Sequence, residues 1–376
     1  MLYLDHAATS PVRPEVLEAM RPYLTGVFGN PSSHHTAGEA AASALDDARA
    51  RVAQTLGMRA GDVVFTSGGT EANNLALKGI VLGSAKRHLI VSSIEHESIL
   101  ESAAYLRRLH GVEVTAVDVD GCGRISADAV AAALRDDTAL VAIGHANNEI
   151  GTVQDIAAVA AVTTDAGVPL HVDAVQSAGW LALDGLGADA VAIAGHKLGA
   201  PKGIGTLGVR GRVPLEPLLH GGGQERGRRS GTENVAGAVA LATALGLAEA
   251  ERDGVAAQVA EQTARFIAAV LAAVPEAALT GDPVRRLPGT ASFTFAGVSG
   301  EAVLLELERR GVISSSGSAC AAGSDEPSHV LLACGIAPEV AQTSVRFTFG
   351  REPLPADAPE HLAALVAASI RAVSAL

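Results

Sequence analysis

Two stretches of the sequence carry most of the information about the fold: His171-Val-Asp173-Ala-Val-Gln176 and Ala190-Val-Ala-Ile-Ala194-Gly-His-Lys197. Each begins as a short apolar run and ends in polar residues, which indicates a strand followed by a turn. Similar β-branched runs recur through the first two thirds of the chain, with alanine-rich helical stretches between most of them. This alternation predicts an α/β fold with a mostly parallel sheet and helices on both faces.

The predicted elements of this first part follow one another closely. The strands are Val63–Ser67, His88–Ser92, Val112–Val117, Leu140–His145, Leu170–Asp173, Ala190–Ala194 and Thr206–Arg210. The helices between them are Asn74–Gly79, Ser98–Leu109, Ser126–Leu134 and Ile156–Asp165. We expect the strands to form a single seven-stranded sheet flanked by helices.

The pattern changes near Gly237. A helical region, Ala238–Glu251, runs to the polar cluster Arg252-Asp-Gly254, and a second helix reaches about Val274. The remaining predicted elements are the strand Thr290–Phe295, the helix Gly300–Arg310, the strand Ser344–Phe349 and the helix Asp357–Leu376. We therefore predict a large α/β domain over residues 14–254. A smaller α+β domain would comprise residues 255–376 together with 1–13 and would carry the loop around Cys320.

Composition narrows the class of protein. The chain has 376 residues, is 48% hydrophobic and carries a net charge of −13 with scattered basic residues, so nucleic-acid binding is not favoured. No apolar run is long enough to span a bilayer, and Met1-Leu-Tyr-Leu-Asp5 enters fold-like sequence at once, without the pattern of a signal peptide. The three cysteines form no CxxC pair, so we expect no metal site and a reducing, cytoplasmic location.

The segment Thr66-Ser-Gly-Gly-Thr70-Glu-Ala-Asn-Asn74 follows a predicted strand and opens a helix. Exposed N–H groups at a helix start bind phosphate well, the glycines let the backbone approach closely, and Thr70 adds a hydroxyl. No Gly-Lys-Ser/Thr closes the segment, so it is not a Walker A loop. An ordinary capped helix is the alternative.

Two further polar segments follow strands. His96, in Ser93-Ile-Glu95-His96-Glu97, lies where parallel sheets place ligands and could stack on a flat cofactor or move protons. The amides of Asn147 and Asn148 could bind a phenolic oxygen or a substrate carboxylate. A partly buried histidine and a polar turn are the respective alternatives.

The chemistry of the opening stretches depends on Lys197 and Asp173. A lysine that closes a Gly-His-Lys turn, with an acid on an upstream apolar strand, suits a Schiff base with pyridoxal phosphate, because a desolvated lysine shifts its pKa readily. Asp173 would keep the pyridine nitrogen protonated, and Gln176 could donate to the phenolic oxygen. A surface lysine after a strand is the alternative reading of this motif alone.

Three segments farther along could bind anions or act as a nucleophile. The glycine- and arginine-rich run from Gly221 to Thr232 suggests anion binding, or else a solvated basic loop. Arg346 lies on an apolar strand, where it needs a carboxylate ligand or an internal salt bridge. Cys320 lies in a small-residue segment and is either a nucleophile or an inert thiol. Cys122 lies in a turn signature, and we assign it no role.

Taken in order, these segments closely resemble the cysteine desulfurases of the NifS/IscS type, which belong to the class V aminotransferases. The resemblance runs from Tyr3-Leu-Asp-His-Ala-Ala-Thr9 to beyond Arg346, and its most specific segments are HANNEIG (145–151), GGGQERGRRSGT (221–232) and SSGSAC (315–320). It implies the pyridoxal-phosphate fold type I, a homodimer, and conversion of L-cysteine to L-alanine.

The resemblance also implies roles around the cofactor. Lys197 would hold pyridoxal phosphate covalently, Asp173 would face the ring nitrogen, and His96 would stack on the ring. Gln176 and Asn148 would lie beside the phenolic oxygen. The phosphate would be bound by Gly69, Thr70, His196 and Thr232 of the partner subunit.

For the substrate, the resemblance implies that Arg346 and Asn148 bind the cysteine carboxylate and that Cys320 receives the sulfur as a persulfide. Released Lys197 would remove the Cα proton, and His96 would adjust the proton on the substrate thiol. An iron–sulfur scaffold protein is the usual acceptor of the sulfur. One departure concerns Ala194, where serine commonly donates to the phosphate, and we expect slightly weaker cofactor retention.

Other functions stay open at this point. A selenocysteine lyase or another class V aminotransferase would share most of these residues, although an aminotransferase has no need of Cys320. A sulfur carrier or scaffold without catalysis would not need Lys197, Asp173, His96 and Arg346 together.

Overall fold

A computed structural model describes residues 1–317 and 326–375 of the chain. The strands are β1 (Leu2–Tyr3), β2 (Val63–Thr66), β3 (His88–Ser92), β4 (Glu113–Val117), β5 (Thr138–Gly144), β6 (Leu170–Asp173), β7 (Ala190–Ala194), β8 (Gly205–Val209), β9 (Ala277–Leu279), β10 (Thr290–Phe295), β11 (Val312–Ile313) and β12 (Val345–Thr348). The helices are α1 (Pro14–Met20), α2 (Pro22–Thr25), α3 (Thr36–Thr55), α4 (Gly69–Gly83), α5 (Glu97–His110), α6 (Ala127–Ala133), α7 (Ile156–Asp165), α8 (Val235–Ala273), α9 (Gly300–Arg309), α10 (His329–Ala333), α11 (Pro338–Ala341) and α12 (Ala358–Ser374).

The seven predicted strands form a single sheet within the described residues, in the order β2-β8-β7-β6-β5-β3-β4. The strands from β7 to β4 in this order pair in parallel, whereas β8 is antiparallel to both β2 and β7. Apolar residues lie on both faces of the sheet and form two buried clusters under the flanking helices. The predicted α/β class, with a mostly parallel sheet, is therefore confirmed.

A third buried cluster lies around a small antiparallel sheet, β12-β10-β9. Four aromatic rings from three elements meet there: Phe266 of α8 packs against Phe293, Phe347 and Phe349 at centroid distances of 5.1–6.0 Å. Leu4 from the start of the chain belongs to the same cluster. This packing is what a smaller α+β unit requires, although the domain limits at residues 254 and 255 stay a prediction.

The predicted break between two helices near Gly254 is wrong, because α8 runs without interruption from Val235 to Ala273. Arg252 forms an ion pair with Glu249 one turn earlier, which supports the helix through the polar cluster. A Cβ atom at Gly254 would meet nothing within 4 Å, so this glycine is exposed and costs the helix only about 1 kcal/mol of propensity. The predicted domain limit therefore falls inside a continuous helix.

In the described part of the chain, no helix combines the length and the apolar character that crossing a bilayer demands.

Candidate active site

A cavity of about 300 Å³ opens at the carboxyl edge of the seven-stranded sheet. Its lining comes from the residues that follow β3, β5, β6 and β7 and from the first turns of α4, which is where parallel sheets bind ligands. Eight of the residues predicted from the sequence line this cavity: Gly69, Thr70, His96, Asn148, Asp173, Gln176, His196 and Lys197. Strand order thus brings together side chains that are far apart in the sequence.

Asp173 ends β6 with its side chain largely buried. One carboxylate oxygen accepts a hydrogen bond from the backbone N–H of Val175 at 2.9 Å, and the other accepts one from the Asn73 amide at 2.7 Å. Both bonds fix the orientation of the carboxyl group. A buried carboxylate held at this position can face a protonated ring nitrogen.

Lys197 follows β7 in the short turn Gly195–Lys197. Its Nζ donates to the backbone carbonyl oxygens of Ala7 and Ala8, the second at 2.7 Å. The Gln176 amide donates to the same Ala7 carbonyl at 3.1 Å. The N-terminal segment therefore lies directly against the predicted cofactor lysine.

The start of α4 and His196 also line the cavity. The helix begins at Gly69 without a side-chain cap, so its first N–H groups and its positive dipole end are directed at the cavity. A Cβ at Gly69 would lie 2.7 Å from Cγ2 of Val175, so only glycine fits at this approach. Burial, with Lys197 and Lys202 nearby, lowers the pKa of His196 to about 4, so its imidazole is neutral and can donate an N–H to an anion.

These donors fit pyridoxal phosphate. Thr70, His196 and the start of α4 would hold a phosphate at one end of the cavity, and Asp173 would hold a ring nitrogen. Lys197 supplies the amine that covalent attachment needs. Ala194 also lines the cavity but offers no hydroxyl to the phosphate.

His96 caps the start of α5. Its Nδ1 accepts a hydrogen bond from the backbone N–H of Ser98 at 3.0 Å and lies 2.9 Å from the Ser98 hydroxyl. An Nδ1 that accepts an N–H carries no proton, so the imidazole proton lies on Nε2. The predicted strand-end histidine is thus both a helix cap and a cavity residue.

The two adjacent amides after β5 have different roles. The Asn147 side chain donates to the Ile94 carbonyl at 3.0 Å and accepts from the backbone N–H groups of Glu149 and Ile150, so it holds the turn together. The Asn148 side chain lines the cavity and is the amide available to a ligand. Its backbone carbonyl accepts a hydrogen bond from Arg346 at 2.7 Å.

Arg346 lies behind Asn148 rather than in the cavity wall. Its side chain is buried and donates to the carboxylate of Asp5 at 2.7 Å and to the carbonyl of Gly317 at 3.2 Å. The internal salt bridge considered as the alternative is therefore present. Its predicted contact with a substrate carboxylate stays a prediction.

Two other residues, Thr232 and Cys320, were also predicted to act at this site. Thr232 is exposed on a loop of this chain, as a residue that acts in a neighbouring subunit would be, and its role stays a prediction. Cys320 lies outside the described residues. The described flanks of its segment both attach beside Asn148: Gly317 through Arg346, and Ser328 through a hydrogen bond from its hydroxyl to Glu149.

Asn73 and Glu95 are among the cavity residues that sequence reasoning missed. Glu95 accepts a hydrogen bond from the Ser92 hydroxyl, and burial raises its pKa to about 8, with Asp173 adding to the effect. Both residues stood within the segments quoted above, next to Asn74 and His96. Nothing in those segments shows which of two neighbouring polar residues faces inward.

A lysine and a buried aspartate at the carboxyl edge of a mostly parallel sheet, with a phosphate cradle at a helix start, define the class of pyridoxal-phosphate proteins of fold type I. The chain belongs to the aminotransferase class-V family, whose model matches residues 2–356.

Similar proteins support this placement. A curated cysteine desulfurase IscS from Dictyoglomus turgidum (strain DSM 6724 / Z-1310) is 43% identical over 353 residues, which cover 93% of this chain and 89% of the relative. A solved structure of a NifS-like protein has a TM-score of 0.91 at 31% identity and covers 98% of this chain and 99% of its own. A second structure, SspA in complex with cysteine, has a TM-score of 0.82 at 36% identity, with coverage of 94% and 100%.

Proposed function

We propose that this chain is a cysteine desulfurase that depends on pyridoxal phosphate. It converts L-cysteine to L-alanine and leaves the sulfur as a persulfide on Cys320. The observation that carries the proposal is the cavity in which Lys197 and Asp173 meet, beside which the described flanks of the Cys320 segment are attached. The family placement and the 43% identity with a desulfurase agree with it.

The overall reaction balances without a further reactant. The carbon–sulfur bond of cysteine breaks, a sulfur–sulfur bond to Cys320 forms, and the electron pair left on the substrate carbon takes a proton to give alanine. Pyridoxal phosphate, when bound, supplies the electron sink that stabilises charge at the substrate carbon.

The side chains of Lys197, Asp173 and His96 would handle the protons of the reaction. Lys197 would hold the cofactor, and its amine, when free, would move the Cα proton, while the carboxylate of Asp173 would keep the ring nitrogen protonated. His96 presents Nε2 to the substrate, since its Nδ1 is used by Ser98. Nε2 is therefore the atom that exchanges a proton with the substrate thiol.

Substrate binding and assembly form the finer part of the proposal. Asn148, with Arg346 directly behind it, binds the substrate carboxylate. The enzyme works as a homodimer in which the exposed Thr232 completes the phosphate site of the partner subunit. The persulfide sulfur then passes to an acceptor protein such as an iron–sulfur scaffold.

The experiment is to mix purified protein and pyridoxal phosphate with L-cysteine and a dithiol, which reduces the persulfide and releases its outer sulfur as sulfide, and to measure alanine and sulfide. Wild type should form both, and Lys197→Ala should form neither. Cys320→Ser should keep the colour of the bound cofactor but lose sulfide release. Cys334→Ser is the matched control, because burial raises the pKa of this thiol to about 11 and makes it a poor nucleophile.

Two outcomes would contradict the proposal. If the wild-type protein forms no alanine from cysteine, the assigned reaction is wrong. If Cys320→Ser turns over cysteine as fast as wild type, the persulfide role of Cys320 is wrong, even though the reaction itself stands.

A further inference from the structure

A chain of hydrogen bonds runs from Asp173 to His96 through two side chains, Asn73 and Ser98. The Asn73 amide donates one hydrogen bond to Asp173 at 2.7 Å and a second to the Ser98 hydroxyl at 2.9 Å. That hydroxyl lies 2.9 Å from Nδ1 of His96. Asn73 and Ser98 are both buried, so water does not compete for these bonds.

The chemistry of the neighbours fixes the direction of every bond in this chain. The Asn73 NH₂ group donates to the carboxylate of Asp173, so the Asn73 oxygen faces the other way. That oxygen lies 3.0 Å from Nε2 of His171, which must therefore donate. Burial lowers the pKa of His171 to about 4, and a neutral imidazole with its proton on Nε2 meets this requirement.

The second hydrogen of the Asn73 amide has one acceptor, the Ser98 oxygen. Nδ1 of His96 accepts the Ser98 backbone N–H and so has no hydrogen to donate, which means that the Ser98 hydroxyl donates to Nδ1. Nδ1 thus receives two donors, the Ser98 backbone N–H and the Ser98 hydroxyl, and cannot hold a proton. The proton of His96 is confined to Nε2.

We propose that Asn73 is a positioning residue that sets the orientation of Asp173 and, through Ser98, the hydrogen bonding of His96. One amide thereby aligns the group that holds the ring nitrogen and the group that faces the substrate thiol. This inference rests on the proposed function, because that function gives Asp173 and His96 their roles. Asn73 itself transfers no proton.

Asn74 offers a matched control on the same helix. Its amide donates to the Thr70 carbonyl at 2.9 Å and accepts from Lys78 at 2.7 Å, both within α4. Asn73→Ala and Asn74→Ala therefore make the same chemical change on the same helix, at neighbouring positions. Only the first removes a contact with Asp173. Ser98→Ala removes only the connection from Asn73 to His96, since it keeps the hydrogen bond from Asn73 to Asp173.

The first measurement is the dissociation constant of pyridoxal phosphate, obtained by titrating the full-length protein after its cofactor has been removed. Loss of a hydrogen bond to a charged group should weaken binding about ten-fold in Asn73→Ala. Asn74→Ala should stay within about two-fold of wild type, and Ser98→Ala should weaken binding less than Asn73→Ala does, because it keeps the bond to Asp173. Thermal unfolding of each cofactor-free variant separates this effect from general loss of structure.

The second measurement is the ¹⁵N resonance of His96 Nδ1 in protein labelled at histidine, assigned by its loss in His96→Gln. This resonance should shift in both Asn73→Ala and Ser98→Ala and stay in place in Asn74→Ala. A general loss of structure would not shift the His96 resonance in both Asn73→Ala and Ser98→Ala while weakening cofactor binding most in Asn73→Ala.

The proposal is overturned if Asn73→Ala binds the cofactor as tightly as Asn74→Ala, or if its His96 resonance is unchanged. Neither measurement requires turnover. A failure of the desulfurase assignment would show as missing alanine formation by the wild type, with both binding and resonance effects intact.

Discussion

The guanidinium of Arg346 and the carboxylate of Asp5 form an ion pair at 2.7 Å that joins β12 to the N-terminal segment. Arg346 is 2% exposed, and among the described residues its guanidinium also donates to the carbonyl oxygens of Asn148 and Gly317. Asp5 therefore supplies the negative charge closest to an arginine that water barely reaches. A substrate carboxylate that binds Arg346 must share the guanidinium with Asp5.

Asp5→Asn should destabilise the protein, because it leaves the buried guanidinium without its counter-charge. We expect the free energy of unfolding in urea to fall by about 3 kcal/mol. The matched control is Asp137→Asn, which breaks a solvent-exposed pair with Arg135 and should cost less than about 1 kcal/mol. An equal loss of unfolding free energy in the two variants would show that the Arg346–Asp5 pair stabilises the protein no more than an exposed pair does.

Ala194→Ser should tighten the binding of pyridoxal phosphate. Ala194 lines the cavity, and its Cβ lies near the position that a Cβ on Gly69 would take, at 3.4 Å. A hydroxyl at residue 194 would add one donor to the phosphate cradle, for a gain on the order of 1 kcal/mol, or about five-fold in the dissociation constant. Spectroscopic titration of cofactor-free protein measures this constant. An unchanged value would show that the missing hydroxyl has no effect on cofactor retention.

Gly69→Ala should weaken cofactor binding by forcing the start of α4 away from the loop after β6. The added Cβ would lie 2.7 Å from Val175, a distance that real Cβ atoms do not keep, so helix or loop must shift. We expect a loss of about ten-fold in affinity together with a lower melting temperature. Gly61→Ala is the control, since a Cβ there meets nothing within 4 Å.

Glu95→Gln should change how stability depends on pH. Burial raises the pKa of Glu95 from 4.5 to about 8, so folding favours its neutral form. The stabilisation from the neutral Glu95 side chain is fully present below pH 4.5 and is lost as the pH rises through 8, by an amount on the order of 5 kcal/mol. Glutamine does not titrate, so the variant should gain stability relative to wild type as the pH rises from 4.5 to 8.

Unfolding of cofactor-free protein, measured across this range of pH, tests the prediction. His145 and His171, whose pKa values are lowered to about 4, contribute equally to both proteins and cancel in the difference. Glu261→Gln, at an exposed position, should show no such difference. A flat difference for Glu95→Gln would mean that Glu95 is ionised throughout.

The strands of the large sheet could be predicted closely from the sequence, because each is a short apolar run between turn signals. His88–Ser92, Leu170–Asp173 and Ala190–Ala194 have the predicted limits. The antiparallel direction of β8 could not be predicted, since strand direction depends on how the chain crosses between strands and not on local pattern. The helix break at Gly254 was wrong because glycine at an exposed helical position leaves packing elsewhere on the helix intact.

The residues of the candidate site could likewise be predicted only in part. Motifs at strand ends identified Asp173, Lys197 and His96, since the carboxyl edge of a sheet collects whatever follows its strands. Asn73 and Glu95 required the structure, because their importance comes from partners far away in the sequence: Asn73 contacts Asp173, and Glu95 lies in the wall of the same cavity.

Leu4 and Asp5 depend on contacts with residues far along the sequence. Leu4 donates its backbone N–H to Ile313 and packs into the third buried cluster, and Asp5 pairs with Thr348 across a β-bridge. During synthesis the N-terminal segment therefore leaves the ribosome long before its partners exist. Ala7 and Ala8, which contact Lys197, belong to that same segment. The cavity thus becomes complete only after the chain has been made through residue 348, and chains truncated before residue 348 should not retain the cofactor.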